Sequence, residues 1–191
     1  MNDCAIVIAT YNRCAVLLRT LGHLTTLPEA LPIVVVDNGC NDNTAATVQA
    51  HYPDVRVVRL PKNIGAAART IAVRAVQTPF IAFCDDDGWW TPGALTRALQ
   101  VLREHPRLAV LNARMVVGDE HRLDPACREM AKSDDGSIAF FLGGACVMRR
   151  NAFLQVGGYH HRFHIGAEES LLALDLAQAG WELRYMEQLV V

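Results

Sequence analysis

Short apolar runs alternate along the chain with longer stretches in which apolar positions recur every three or four residues. "CAIVIAT" (4–10), "IVVVDNG" (33–39), "VRVVRL" (55–60) and "PFIAFCD" (79–85) read as buried strands. Between them, "AVLLRTLGHLTTL" (15–27), residues 43–51, "GAAARTIAVRAVQ" (65–77) and "PGALTRALQVLREH" (92–105) have helical period. "HYPD" ends the second of these helices, and Thr91-Pro92 opens the fourth, with Thr91 as its cap. Val/Ile-rich strands joined by helical crossovers predict an α/β fold over residues 1–112, a mostly parallel central sheet with helices on both faces.

Beyond residue 112 the pattern loosens. Residues 118–137 are polar and unpatterned, which predicts a mobile loop over a site. "IAFFLGGACVMRR" (138–150) returns to strand character, with Gly143-Gly144 marking a bulge or a close backbone approach. A helix is expected over 167–179, stopped at Gly180. The chain closes on the apolar, strand-like "EQLVV", an odd place for a complete protein to stop, so further elements are expected past Val191. There is no internal repeat and no low-complexity segment.

The 191 residues suffice for one domain with a substantial core, and 51% hydrophobic against 20% charged residues is an ordinary globular balance. A net charge of −2 with no Lys/Arg stripe argues against a nucleic-acid polymer as partner. The six cysteines are scattered without a CxxC pair, which reads as reduced thiols and a cytoplasmic setting. "MNDCAIVIATYNR" lacks the charged start and long apolar stretch of a signal peptide, and no window approaches a membrane span. Peripheral contact with the inner face of a membrane stays open, because an acceptor can be lipid-linked.

Ligands of open α/β sheets bind at the carboxyl ends of the strands. Polar residues collect there in this chain: Thr10-Tyr11-Asn12-Arg13, Asp37-Asn38, Lys62-Asn63 and Asp85-Asp86-Asp87. The Asp triplet has a plain reading as a polar turn before a helix. Yet one cap needs one carboxylate, whereas hard cations such as Mg²⁺ or Mn²⁺ take carboxylate oxygens together with phosphates and water. Asp85-x-Asp87 in an extended segment puts alternate carboxylates on one side, so a cation bridging them to a diphosphate is expected. The first strand is followed by "TYNR" in place of GxGxxG or GxxxxGK[ST], which speaks against the dinucleotide and P-loop readings. In "NIGAAAR" (63–69), Arg69 is either on a helix's solvent face or paired with a phosphate.

"TYNR", "VVVDNGCND" (34–42), "NIGAAAR", "FCDDDGWWTPGAL" (83–95), "GGACVMRR" (143–150) and "GAEESLLALDLAQAGW" (166–181) follow one another in a familiar order. The chain resembles a family 2 glycosyltransferase of the GT-A fold, from residue 5 to about 182. The resemblance implies a single domain, 1–191, with a nucleotide-binding half (1–112) and an acceptor and catalytic half (113–191). It implies a nucleotide-diphospho-sugar donor and a divalent metal, Mn²⁺ or Mg²⁺. The acceptor would be a glycan, a lipid-linked or a small molecule. By the same resemblance Thr10 and Tyr11 lie near the base, Asp37 hydrogen-bonds it, and Arg69 lies near base and diphosphate. Arg13 and Asn63 join the donor-binding set. Asp86 approaches ribose or sugar, Asp85 and Asp87 hold the metal, and Gly143-Gly144 let the backbone approach donor or acceptor, with Gly144 placed in the donor set. Glu168-Glu169 stand where the family carries its general base for inverting transfer, with Glu169 the choice between two glutamates that also suit a helix N-terminus.

Trp89 and Trp90 suit a sugar face, with at least one ring expected in the core. "YHHRFH" (159–164) offers His160, His161 and His164 to a transition metal, or His164 to the acceptor, although adjacent strand residues face opposite ways. Two other classes compete with transfer: a non-catalytic nucleotide-sugar binding module, and a phosphatase or sugar nucleotidyltransferase. A phosphatase would carry Asp-x-Asp after the first strand, and a nucleotidyltransferase would carry a Gly-rich basic loop there. Neither is present. Donor sugar, base and oligomeric state have no readable code in the chain.

Overall fold

The first strand of the chain ends up in the middle of its sheet. In the computed structural model, which describes residues 3–191, β1 (Cys4–Thr10) pairs in parallel with β2 (Ile33–Asp37) on one side and β4 (Phe80–Cys84) on the other. β3 (Arg56–Arg59) adds to β2, also in parallel. The helices that return the chain between these strands are α1 (Cys14–Leu24), α2 (Thr44–His51) and α3 (Ala67–Ala75). After β4 come α4 (Ala94–Glu104) and β5 (Leu108–Arg114), then the short β6 (Val116–Val117), β7 (Arg122–Leu123) and α5 (Pro125–Met130). β8 (Ala145–Arg149), α6 (Arg150–Gln155), α7 (Glu168–Gln178) and β9 (Glu182–Val190) complete the chain. The seven-stranded sheet runs β3-β2-β1-β4-β8-β5-β9.

The pleat divides the core in two. Cys4, Ile6 and Ile8 face one side, where Leu17, Leu21, Val48, Leu95, Leu99 and Leu102 of α1, α2 and α4 cover them. Ala5 and Val7 face the other, under Ala68, Ala72 and Val73 of α3, Phe153 of α6 and Leu172 and Leu176 of α7. This is the expected sheet with helices on both faces.

Four details differ from the pattern-based expectation. β8 is shorter than 138–150 and antiparallel to both β4 and β5; a long connection that holds a hairpin and a short helix, in place of a single crossover helix, delivers it to the sheet. The pattern does not announce β5: its apolar run is broken by Asn112, whose buried amide donates to the Ala113 carbonyl and accepts from Leu142 N. The polar segment 118–137 is folded: β6 and β7 form a hairpin, and Asp124 caps α5 by accepting from Ala126 N, burying Cys127 and Met130. Thr91 does not cap α4. Its hydroxyl donates to Val190 O, and the helix's first amides, Gly93 N and Thr96 N, donate to Glu29 Oε1 from the loop after α1.

All six cysteines are free thiols. No helix among the described residues is long and apolar enough to cross a membrane.

Candidate active site

Each parallel strand delivers its polar residues to the same edge of the sheet. There a cleft of about 490 Å³ opens, lined by Thr10, Tyr11, Arg13, Asn38, Asn63, Arg69, Asp85, Asp86, Asp87, Glu168 and Glu169, with Gly65, Ala66 and Ile165. Most of the sequence-predicted donor, metal and base residues therefore meet, although they come from opposite ends of the chain.

The three aspartates sit in a turn, with Gly88 N donating to Asp85 O at 3.4 Å. The expected extended segment with two free carboxylates on one side does not form. Asp85 accepts from Arg69 Nη2. Asp86 is buried and accepts from Thr10 Oγ1 at 2.6 Å and Arg13 Nη1 at 2.6 Å, while its carbonyl accepts from Thr20 Oγ1 at 2.8 Å. Asp87 is half exposed and accepts from Arg13 Nη2 at 2.8 Å. Two guanidinium groups thus balance most of the repulsion among three carboxylates. Burial pushes the Asp86 pKa up, against the opposing pull of Thr10 and Arg13.

Arg69 is not on a solvent face. Only 9% of it is exposed; burial opposes its charge, but the field of Asp85, with Glu169, holds its pKa up. Gly143 marks where these groups converge: a Cβ there would lie 2.7 Å from Glu169 Oε1, 2.9 Å from Arg69 Nη1 and 3.2 Å from the Tyr159 hydroxyl. Only glycine fits. Tyr159, buried in a ring cluster with Phe83 and Phe153, has no hydrogen-bond partner for its hydroxyl. A tyrosine beside Gly157-Gly158 carries no sequence signal that separates it from any core aromatic.

Glu168 and Glu169 open α7 after Ala167, which stands at φ 65°. Glu168 is 5% exposed and its Oε2 is buried without a partner. Burial first, then the neighbouring Glu168 charge, raises the Glu169 pKa, while its backbone hydrogen bond and Arg69 oppose the shift. A carboxylate whose basicity is raised by burial is, in its ionised form, suited to accept a proton from a substrate hydroxyl.

The remaining candidates are more scattered. Asp37, expected at the base, is 1% exposed; it accepts from Cys40 N at 2.7 Å and lies 3.5 Å from Arg59, so Asn38 takes the cleft wall in its place. Asn38 ties the wall together, donating to Asn63 Oδ1 at 2.9 Å and Gly65 O at 3.2 Å. Trp90 is fully buried and donates to Phe83 O, which makes it the core ring and removes it from acceptor contact. Trp89 stacks on His23 with centroids 4.0 Å apart, away from the cleft lining. His164 is exposed and contributes its carbonyl, which accepts from Ala66 N at 2.9 Å. His160 and His161 stack on each other beside a separate 300 Å³ hollow. Among the described residues no three His, Cys, Asp or Glu side chains converge as a preformed metal cage. Mg²⁺ or Mn²⁺ held by one or two carboxylates and a diphosphate needs none.

Residues 5–157 match the model of glycosyl transferase family 2. The chain is 26% identical to the N-acetylglucosaminyl-diphospho-decaprenol L-rhamnosyltransferase of Mycobacterium tuberculosis, over 95% of this chain and 73% of that protein. It is 31% identical to the pre-mycofactocin glycosyltransferase of the same organism, over 96% of this chain but 41% of that protein. In fold it superposes on the mannosyltransferase PcManGT of Pyrobaculum calidifontis, solved in complex with GDP-Man and Mn²⁺, with a TM-score of 0.76, 21% identity and coverage of 99% and 56% of the two chains. For S. aureus TarS the TM-score is 0.75, at 18% identity and coverage of 99% and 36%. The chain thus spans about half the length of PcManGT and about a third of TarS. The family match, the named relatives and the shared sheet agree: this chain belongs to glycosyl transferase family 2 and has the GT-A fold.

Proposed function

We propose that this domain transfers a sugar, with inversion, from a nucleoside-diphosphate donor to an acceptor hydroxyl, with Glu169 as general base. The observation that carries this reading is the single cleft shared by the aspartates after β4 and the glutamates that open α7. Thr10, Tyr11, Asn38 and Asn63 line the wall on which the nucleoside is to lie, and Arg13 and Arg69 stand where a diphosphate needs cations.

The side chains present fit a hard divalent cation. Asp87 is half exposed and offers carboxylate oxygen, and the Arg13 guanidinium already occupies a cation's place between Asp86 and Asp87. Asp87, with Asp85, would hold the ion, which when bound supplies Lewis-acid stabilisation of the leaving diphosphate. Glu169 accepts the proton of the acceptor hydroxyl as that oxygen bonds to the anomeric carbon. The bond to the diphosphate oxygen breaks, and the electron pair leaves with the diphosphate. Glu168, buried and unpartnered on one oxygen, is placed to accept a hydrogen bond from a sugar or acceptor hydroxyl.

A GDP-Man and Mn²⁺ complex of a protein with this fold, and a relative named for a diphospho-decaprenol acceptor, favour a nucleotide-sugar donor and a lipid-linked acceptor. The test is a thermal-shift titration with UDP, dTDP, GDP, CDP and ADP, with and without Mn²⁺ or Mg²⁺, beside Asp87→Ala. A ligand at 100 times its Kd adds about 2.7 kcal/mol, a rise of several degrees. Stabilisation by one diphosphate that needs metal and Asp87 supports the reading. Stabilisation by none of the five removes its centre. Binding without any transfer or donor hydrolysis would leave a nucleotide-sugar binding module.

A further inference from the structure

The triplet Asp85-Asp86-Asp87 faces two arginines, and the two are held very differently. Arg69 is inside the protein, with 11% of its side chain exposed. Arg13 is at the open rim, 46% exposed, on a residue that precedes α1 and makes no capping hydrogen bond. Its guanidinium spans Asp86 and Asp87 with one nitrogen on each, at 2.6 and 2.8 Å.

We propose that Arg13 is an exchangeable counter-ion. In the free protein it occupies the Asp87 carboxylate, and on donor binding it transfers to the diphosphate and releases Asp87 to the divalent cation. This rests on the metal-assisted reading given above. Three observations support it.

First, the arrangement is built to survive the loss of Arg13. Asp86 keeps its bond from Thr10 Oγ1, and its carbonyl keeps the bond from Thr20 Oγ1, so the turn stays in place when the guanidinium leaves. Second, of the two links to be broken, the one that blocks Asp87 is weak. Arg13 and Asp87 are both about half exposed, and exposed ion pairs contribute little, so the link to the buried Asp86 is the one the diphosphate and the arriving cation have to replace. Third, the cleft leaves the guanidinium somewhere to go. Arg13 lines the same cavity as Asn63, Gly65 and Arg69, where a diphosphate would present the bidentate acceptor that a guanidinium matches best. Buried Asp86 is not left uncompensated, because the cation arriving at Asp87 replaces the charge that departs.

The consequence is an obligatory coupling between cation and diphosphate. Alone, the cation must compete with Arg13 for Asp87. With a nucleoside diphosphate present, the competitor is drawn away. Linkage requires the coupling to be the same in both directions.

The experiment measures free Mn²⁺ by electron paramagnetic resonance, without any turnover, for wild type, Arg13→Gln, Arg13→Lys and Arg59→Gln. Each is titrated alone and with the nucleoside diphosphates UDP, GDP, dTDP, CDP and ADP. Arg59→Gln removes a positive charge from the end of β3 without touching the triplet and controls for net charge. Wild type should bind Mn²⁺ weakly alone and more tightly with one diphosphate. Arg13→Gln should bind Mn²⁺ alone about tenfold more tightly than wild type, with the diphosphate-dependent gain largely lost. Arg13→Lys, able to reach one carboxylate at a time, should fall between the two and also covers the case in which Arg13→Gln does not fold. If wild type and the Arg13 variants show the same Mn²⁺ affinity and the same diphosphate gain, or if Arg59→Gln reproduces the effect, the exchange is overturned while the metal reading stands. If wild type binds no Mn²⁺ with any of the five diphosphates, the metal reading fails and the exchange falls with it.

Discussion

Gly144 lies against the Asp85 carboxylate so closely that a Cβ there would sit 2.9 Å from Oδ1 and overlap both Oδ2 and Cγ. The backbone entering β8 therefore fixes the side of the cleft on which Asp85 can stand, and Arg69 fixes it from the other side.

Gly144→Ala should push the Asp85 carboxylate off Arg69. Overpacking of this kind costs about 1–3 kcal/mol, and the larger effect should be on ligands. Chemical denaturation is expected to show a fold that is intact but weakened. A thermal-shift titration is expected to show loss of the metal-dependent nucleotide response. A variant that keeps that response at wild-type strength would mean that the Asp85 position is unimportant for the donor.

Replacing Glu169 separates binding from chemistry. Glu169→Gln should lower transfer by about 10²–10⁴-fold, the usual share of a general base, and leave nucleotide binding within a few-fold of wild type. Release of nucleoside diphosphate in the presence of acceptor measures the first, and thermal shift the second. The same pair of measurements on Glu168→Gln should give a smaller rate loss. The reverse ranking would transfer the base role to Glu168.

Burial, followed by Glu168, holds the Glu169 pKa above the ordinary glutamate value of 4.5. The acid limb of the rate profile should accordingly lie above that value, because the base works only when ionised. The same shift has a stability consequence of definite sign. A carboxyl whose folded pKa is raised favours the folded state while protonated, and that contribution is lost as pH rises through the folded pKa. Melting temperatures of wild type and Glu169→Gln should therefore diverge as pH climbs from the ordinary glutamate value through the raised one, with the variant gaining on wild type. Parallel curves would show that Glu169 ionises like a solvated glutamate.

Tyr159→Phe removes a buried hydroxyl with no partner and keeps the ring packing with Phe83 and Phe153. An unsatisfied buried polar group costs about 1–3 kcal/mol, so the variant should be as stable as wild type or more stable in urea unfolding. A loss beyond about 1 kcal/mol would reveal a hydrogen-bond partner for that hydroxyl.

The sequence alone determined the parallel half of the sheet. Runs such as Ile33–Asp37 and Phe80–Cys84 are apolar on both faces and separated by helical period, and only a covered parallel sheet buries such strands. It also pointed to the strand ends that border the cleft, since ligands of open α/β sheets bind there. Tertiary structure alone decided how those residues are paired. That Arg69 turns inward and that Arg13 bridges two aspartates depend on contacts between segments up to 74 residues apart. No local pattern encodes them. The direction of β8 and the folding of 118–137 likewise came from packing: β8 finds its hydrogen bonds between β4 and β5, and Cys127 and Met130 find a core that their polar neighbours do not announce. Periodicity reports which face of an element is apolar, but the partner that covers that face is settled only when the chain closes on itself.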